Sequence, residues 1–244
     1  MRVISFCADG LREAAGRGFY DWLARQDADF ICVQDLRCTE YDLQEDLYFP
    51  SEYNAYFFDD VNGKANGVAI YCRGLPKAIM TGLGFVDFDM QGRYIQADYQ
   101  DLSIGCILPP AADEPDGERQ QAEFFHLLGA HLQKIRNKRR DYIICGNWQL
   151  TPDGPGLGSE KARALQSEWI GEVFGSGYAD AFREVSATDP APTFWPEGSD
   201  SAGLRSDLQL ISENLVDCVE HAAVYTGERF SSHAPLIIDY DLDT

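Results

Sequence analysis

The chain is short of positive charge. Its 244 residues hold 20 Lys and Arg against 40 Asp and Glu, for a formal net charge of −20. A protein that grips duplex DNA offsets phosphate repulsion with a basic surface, so this chain as a whole repels polyanions. A local basic groove can survive on an acidic protein, which leaves a small footprint open. Long apolar runs are missing too. Stretches such as Ile104–Pro110 fall far short of the roughly 18 residues a membrane helix needs, so no membrane span is expected. The opening M-R-V-I-S-F-C-A-D lacks the apolar region and small-residue cleavage site of a secretory signal. There is no C-x-x-C pair among the seven cysteines, Cys7, Cys32, Cys38, Cys72, Cys106, Cys145 and Cys218. Their odd number and apolar surroundings predict reduced, buried thiols in a cytoplasmic setting, not disulfides or a metal site. No repeat of solenoid period is found.

What is present suits a folded domain, with 45% hydrophobic residues and no extended polar tract. Short apolar runs rich in β-branched and aromatic residues predict strands at Val3–Cys7, Phe30–Gln34, Ala55–Phe58, Gly67–Cys72, Tyr94–Tyr99, Ser103–Leu108, Tyr142–Cys145, Leu208–Ile211 and Pro235–Tyr240. Apolar residues at helical spacing predict helices over Leu11–Arg25, Glu118–Arg140 and Glu160–Phe174. The alternation is of α/β type. Gly, Pro, Asp and Ser mark loops at Asp59–Gly63, Pro109–Gly117, Pro152–Gly158 and Pro190–Gly203, none of them a domain linker. One domain over residues 1–244 is expected.

The segment Y-I-I-C-G-N-W-Q-L-T-P, Tyr142–Pro152, raises a chemical question. Its hydrophobic run breaks at Gly146, and two neutral amides, Asn147 and Gln149, follow where a hydrolase usually places a carboxylate.

Six collinear segments address it. They are S-F-C-A-D-G-L-R (Ser5–Arg12), I-C-V-Q-D-L-R (Ile31–Arg37), N-G-V-A-I-Y (Asn66–Tyr71), G-N-W-Q-L-T-P (Gly146–Pro152), R-S-D-L-Q-L-I-S (Arg205–Ser212) and S-S-H-A-P-L (Ser231–Leu236). Together they resemble the endonuclease/exonuclease/phosphatase superfamily, in its exonuclease III branch of abasic-site endonucleases. The resemblance implies a two-layer β-sandwich flanked by helices, with a site where strand ends meet at one edge. Cleavage of a phosphodiester there requires a hard divalent cation, a base for water, and donors for charge growing on phosphate.

Set against that pattern, much is altered. Cys7 stands where the family has an Asn, a soft sulfur in place of an oxygen ligand. Asp35 stands for the metal-holding Glu, one methylene shorter. Asn147 and Gln149 replace the Asp-x-Asn pair, and an amide cannot take a proton from water. Ser232 replaces the Asp before His233, which predicts a histidine without an orienting carboxylate. The family's Tyr falls on Cys106 or Ile107. Asp207, His233 and Asp35 survive, with Asp9 beside them. Their structural alternatives are that Asp207 holds Arg205 or a turn, that His233 packs under Pro235, that Asp35 caps a loop, and that Asp9 preserves a turn with Gly10. The pocket of Cys7, Asp9, Asp35, Asn147, Gln149, Asp207, Ser232 and His233 is therefore expected to be vestigial and not an enzyme's, with no cofactor.

Further strings, P-K-A-I-M-T-G-L-G-F (Pro76–Phe85), G-R-Y-I-Q-A-D-Y (Gly92–Tyr99), K-R-R-D-Y-I-I-C-G (Lys138–Gly146), G-Y-A-D-A-F-R-E-V-S (Gly177–Ser186) and R-F-S-S-H-A-P-L-I-I-D-Y-D (Arg229–Asp241), resemble the catabolite repression control family. That resemblance implies a translational co-repressor joining an Sm-like RNA chaperone on A-rich mRNA, with weak or no RNA binding alone. The Leu150–Lys161 loop departs from that family. One basic run stands out, K-I-R-N-K-R-R. Lys134, Arg136, Lys138, Arg139 and Arg140 are read there either as a contact to RNA or the chaperone assembly, or as the favourable cationic end of a helix dipole. Two rivals remain: a divergent Mg²⁺-dependent abasic-site endonuclease or other phosphodiesterase using Asp35, Asp207 and His233 with Asp9, and an interaction protein without RNA.

Overall fold

The computed structural model describes residues 1–113, 116–187, 191–196 and 203–242. Twelve strands and five α-helices are described. The strands are β1 (Arg2–Cys7), β2 (Phe30–Gln34), β3 (Asn54–Phe58), β4 (Val68–Cys72), β5 (Ala78–Thr81), β6 (Tyr94–Asp98), β7 (Leu102–Ile107), β8 (Asp141–Asn147), β9 (Tyr178–Asp180), β10 (Asp207–Ser212), β11 (Val219–Val224) and β12 (Leu236–Tyr240). The helices are α1 (Leu11–Gly16), α2 (Phe19–Leu23), α3 (Gly117–Arg136), α4 (Glu160–Gly175) and α5 (Ala181–Val185). The expected sandwich is what forms. One six-stranded sheet runs β11-β12-β1-β2-β4-β3, and the other runs β5-β6-β7-β8-β10-β9.

Pleating explains why the central strands read as unbroken apolar runs. Val3, Phe30, Cys32, Cys72, Cys106, Ile143 and Cys145 point into the layer between the sheets. Their strand neighbours Ile4, Phe6, Ile31 and Val33 pack beneath α1 and α2 with Phe19, Trp22 and Phe230. On the other outer face, Tyr142, Ile144, Leu208 and Leu210 meet Phe125, Leu128 and Trp169 of α3 and α4. Each central strand is thus buried on both sides, and alternation of apolar with polar residues disappears. All seven cysteines are free thiols, with six buried and Cys218 half-buried.

The structure redraws several predicted elements. The segment Leu11–Arg25 is two helices, because Gly18 takes φ 88 in the left-handed region that only glycine enters cheaply. The long helix stops at Arg136, so Lys138, Arg139 and Arg140 lie beyond its end. β5, β9 and β11 did not stand out as apolar runs; each is an outermost strand of its sheet. Residues 190 and 197–202 of the Pro190–Gly203 loop, and 114–115 of the Pro109–Gly117 loop, lie outside the described residues.

A buried ion cluster ties the β9–β10 corner to the loop after β8. Arg205, 5% exposed, forms an ion pair with Asp180 Oδ2 at 2.6 Å, donates to the Asp153 carboxylate, and lies 5.5 Å from the centroid of the Phe182 ring. Arg183 reaches the same Asp153 Oδ2 at 2.6 Å. Burial alone would push the Asp180 carboxyl up, and Arg205 opposes it. Arg205→Ala leaves Asp180 buried without its cation, so urea unfolding is expected to show a loss of about 3–5 kcal/mol. A loss under about 1 kcal/mol, the range of an exposed ion pair, would refute the structural role.

Candidate active site

Both sheets end at one edge, and the candidate residues sit on those ends. β1 and β2 run parallel in register, Cys7 opposite Gln34, so the turns after them lie side by side. The backbone keeps pairing past the strands, with Gly10 N donating to Asp35 O at 2.9 Å and Leu11 N to Leu36 O at 2.9 Å. β8 delivers Asn147 directly opposite Asp207, the first residue of antiparallel β10. The segment Ser231–His233, just before β12, closes the group. Ser231 Oγ donates to Cys7 O at 2.7 Å, and His233 bridges to Phe194.

The centre is a buried pair. His233 Nδ1 lies 2.8 Å from Asp207 Oδ2, with Asp207 fully buried and His233 5% exposed. Phe194 stacks on the imidazole at 4.5 Å and 21°. Burial works against a charged imidazole, yet the Asp207 carboxylate outweighs it, aided by Cys7, and holds the His233 pKa well above its ordinary value. Asp207 Oδ1 is buried with no hydrogen-bond partner. The expectation that Ser232 deprives His233 of its carboxylate is therefore corrected: the carboxylate is Asp207. Arg205 does not depend on Asp207, being held by Asp180 and Asp153, and the ring of His233 packs on Phe194, not under Pro235.

Around the pair, Asn147 Oδ1 accepts from Gln149 N at 3.1 Å, which aims its amide nitrogen at Cys7 Sγ and His233 Nε2, each 3.5 Å away. Burial pushes the Cys7 thiol up to about 11, partly offset by His233. Asp9 Oδ2 accepts from Ser232 N at 3.0 Å and from the Ser232 hydroxyl. Arg37 Nη2 reaches Asp35 Oδ2 at 2.5 Å and Asp9 Oδ1 at 3.3 Å. Burial lifts the Asp35 pKa and Arg37 restrains the rise. Cys106 and Ile107 are fully buried, and the Cys106 thiol donates to Val33 O at 3.4 Å, so neither offers a phenol's counterpart.

Asp9, Asp35, Arg37, Asn147, Gln149, Ser232 and His233 border a cleft of about 730 Å³ that is also lined by Arg17, Asn66, Arg93 and Phe194, while the buried Cys7 and Asp207 do not line it. Three arginines face four carboxylates there, Asp9, Glu13, Asp35 and Asp113. Locally the charge is close to balanced, unlike the chain's −20, and a phosphate can enter. Arg37, Arg93 and Phe194 were not singled out from sequence. For Arg37 the signal was its place two residues after Asp35 inside a matching segment.

A hard divalent cation of the Mg²⁺ class needs several oxygen ligands. This donor set fits it poorly. Cys7, Asp9 and His233 each bring one ligand atom within 4.8 Å of the others, but as sulfur, oxygen and nitrogen. The two carboxylates with the harder oxygens, Asp9 and Asp35, are already bridged by Arg37.

The basic run lies elsewhere. It precedes β8, while Asn147 ends that 7-residue strand in the cleft, a separation of roughly 20 Å. Its five cations differ in their partners. Arg140 Nη1 pairs with Asp98 at 2.9 Å, and Arg136 packs its guanidinium against Gly177. Lys134, Arg136, Lys138 and Arg139 are exposed. Among the described residues, no helix is long and apolar enough to cross a membrane.

Comparison with known proteins agrees with this geometry. A model described as the Endonuclease/Exonuclease/phosphatase family matches residues 8–227. The chain is 24% identical to the zebrafish (Danio rerio) protein named DNA repair nuclease APEX1, over 98% of this chain and 81% of the relative. It is 25% identical to the Exodeoxyribonuclease of Bacillus subtilis, over 97% of this chain and 98% of the relative. An AP endonuclease structure from Archaeoglobus fulgidus superimposes with a TM-score of 0.86 at 19% identity, covering 99% and 100% of the two chains, a likeness of fold. The expectation of a chain that is not an enzyme is overturned by these findings. The relatives it matches along nearly its whole length are named as nucleases, and His233, expected to lack an orienting carboxylate, has one in Asp207.

A histidine whose pKa is raised on folding stabilises the fold below its unfolded value of roughly 6.5, and that contribution is lost as pH rises through the folded value. Urea stability is therefore expected to fall as pH climbs above neutral, and Asp207→Asn is expected to flatten that slope. Identical pH profiles for both proteins would contradict the pairing.

Proposed function

The chain belongs to the Endonuclease/Exonuclease/phosphatase family, and on that premise we propose that it hydrolyses phosphate esters of nucleic acid, at abasic sites or strand ends. The observation that carries this reading is the Asp207–His233 pair beneath the cleft. Asp207 orients the imidazole through Nδ1, Phe194 clamps its face, and the Asp207 carboxylate favours the doubly protonated ring. A protonated His233 stabilises charge growing on the phosphoryl oxygens and supplies a proton to the leaving oxygen as its bond to phosphorus breaks. Asn147 cannot accept the proton of the attacking water. Asp9, whose carboxylate lies within 4.8 Å of the imidazole nitrogen, takes that role. The names of the relatives support the substrate class, and the acidity of the chain supports contact with a short segment, not a long duplex.

The test is cleavage of abasic-site duplex and of 3′-blocked ends by the purified protein, with and without Mg²⁺. His233→Ala is expected to lower the rate by about 10²–10³-fold, the usual cost of losing one preorganised donor. Absence of any cleavage, or cleavage indifferent to His233→Ala, would sink the reading.

A second reading concerns the far end of β8, where exposed Lys134, Lys138 and Arg139 support docking onto an Sm-like RNA chaperone bound to A-rich mRNA. If they meet phosphate, replacing the three with Gln lowers the salt slope of ternary assembly by about one unit per lost contact. Gel shifts over a salt series decide this, and an unchanged slope would leave the run as a solvated helix end.

A further inference from the structure

We propose that Arg37 is the resident cation of the cleft, holding the place between Asp9 and Asp35 that a hard divalent ion would need, and that its free N–H groups bind substrate phosphate without a metal. This rests on the phosphoester reading for the identity of the substrate, but its binding claim stands independently.

Three observations support it. The first is contact geometry: one nitrogen, Nη2, touches Asp35 Oδ2 at 2.5 Å and Asp9 Oδ1 at 3.3 Å, while Nη1 reaches Asp9 O at 3.3 Å. A guanidinium has five N–H donors, and these contacts leave others for a ligand. The side chain is 48% exposed and borders the cleft, so those donors are accessible to a phosphate. Arginine's planar fork suits phosphate oxygens better than a point charge does.

The second is backbone strain. Asp9 at φ 50, Asp35 at φ 56 and Arg37 at φ 50 all occupy the left-handed region, which side-chain-bearing residues enter at a cost. The three members of the ion cluster are thus the three strained residues on these two turns. Strain of this kind persists where surrounding structure enforces it, and here Arg37 N donates to Asn66 O at 2.9 Å. A solvated surface ion pair would not need such a backbone.

The third is the donor set. Cys7 puts a sulfur where the family pattern has an oxygen ligand, and Asn147 puts a neutral amide where it has a carboxylate, so the attraction for a divalent cation is weakened. With Arg37 present the Asp9–Asp35 pair carries a net single negative charge; without it the pair carries two.

The experiment is calorimetric titration of wild type, Arg37→Gln and Arg37→Lys with inorganic phosphate and, separately, Mg²⁺. The wild type is expected to bind phosphate equally well in excess EDTA. Arg37→Gln is expected to weaken phosphate at least tenfold and to strengthen Mg²⁺ at least tenfold, as the two carboxylates are released. Arg37→Lys, which keeps the charge but loses the fork, is expected to stay close to wild type for Mg²⁺ while weakening phosphate, and thermal melting confirms that each variant is folded. Phosphate binding that requires Mg²⁺, or a folded Arg37→Gln protein unchanged toward both ligands, would overturn the proposal. Phosphate binding through Arg37 in a protein that cleaves nothing would uphold it and sink the hydrolase reading, whereas Mg²⁺-dependent cleavage would do the reverse.

Discussion

Everything at the site follows from two sheets that are each buried on both faces and end at a common edge. The inner layer of Val3, Phe30, Cys32, Cys106, Ile143 and Cys145 locks the sheets face to face. The helices then fix the outer faces through Phe19 and Trp22 on one side and Phe125 and Trp169 on the other. With strand positions set from both sides, β1, β2, β8 and β10 cannot slide without turning apolar residues outward. Residues as distant in sequence as Cys7 and His233 are held together by packing, not by any local preference.

That dependence explains what could be read from the sequence. The central strands were legible because burial on both faces writes itself as an apolar run. β5, β9 and β11 were not: Ala78–Thr81 is mostly exposed, β9 is three residues long, and β11 is largely exposed or half-buried, whereas the aromatic β3 was read although it too is an outermost strand. The site residues were legible as motifs, in the right order. Their partnerships were not. Ser232 adjoins His233 in sequence and invited the inference of a broken pair, yet the carboxylate comes from Asp207, 26 residues away, because β10 starts opposite the end of β8. Arg37 was visible within its segment, but its meaning lies in the turn that folds it back between Asp9 and Asp35.

The site also shows how one set of substitutions can shift chemistry without dismantling a scaffold. An amide in place of a carboxylate at Asn147 changes the acid–base inventory, while Gln149 exchanges one amide for another. The same positions still make structural bonds, Asn147 Oδ1 to Gln149 N and Gln149 O to the Gln121 amide, so the loop keeps its shape. The Asp207–His233 pair, with Phe194 stacked on the imidazole, is buried, Asp207 fully and His233 to 5% exposure.

The free thiols give the seam between the sheets a chemical handle. Cys32, Cys72, Cys106 and Cys145 come from both sheets and line the shared inner layer, away from solvent. A small alkylating reagent can reach them only when the sheets part, so their modification rate clocks the opening of the sandwich itself. Cys218, half-buried outside that layer, serves as the internal reference whose labelling does not wait for the opening.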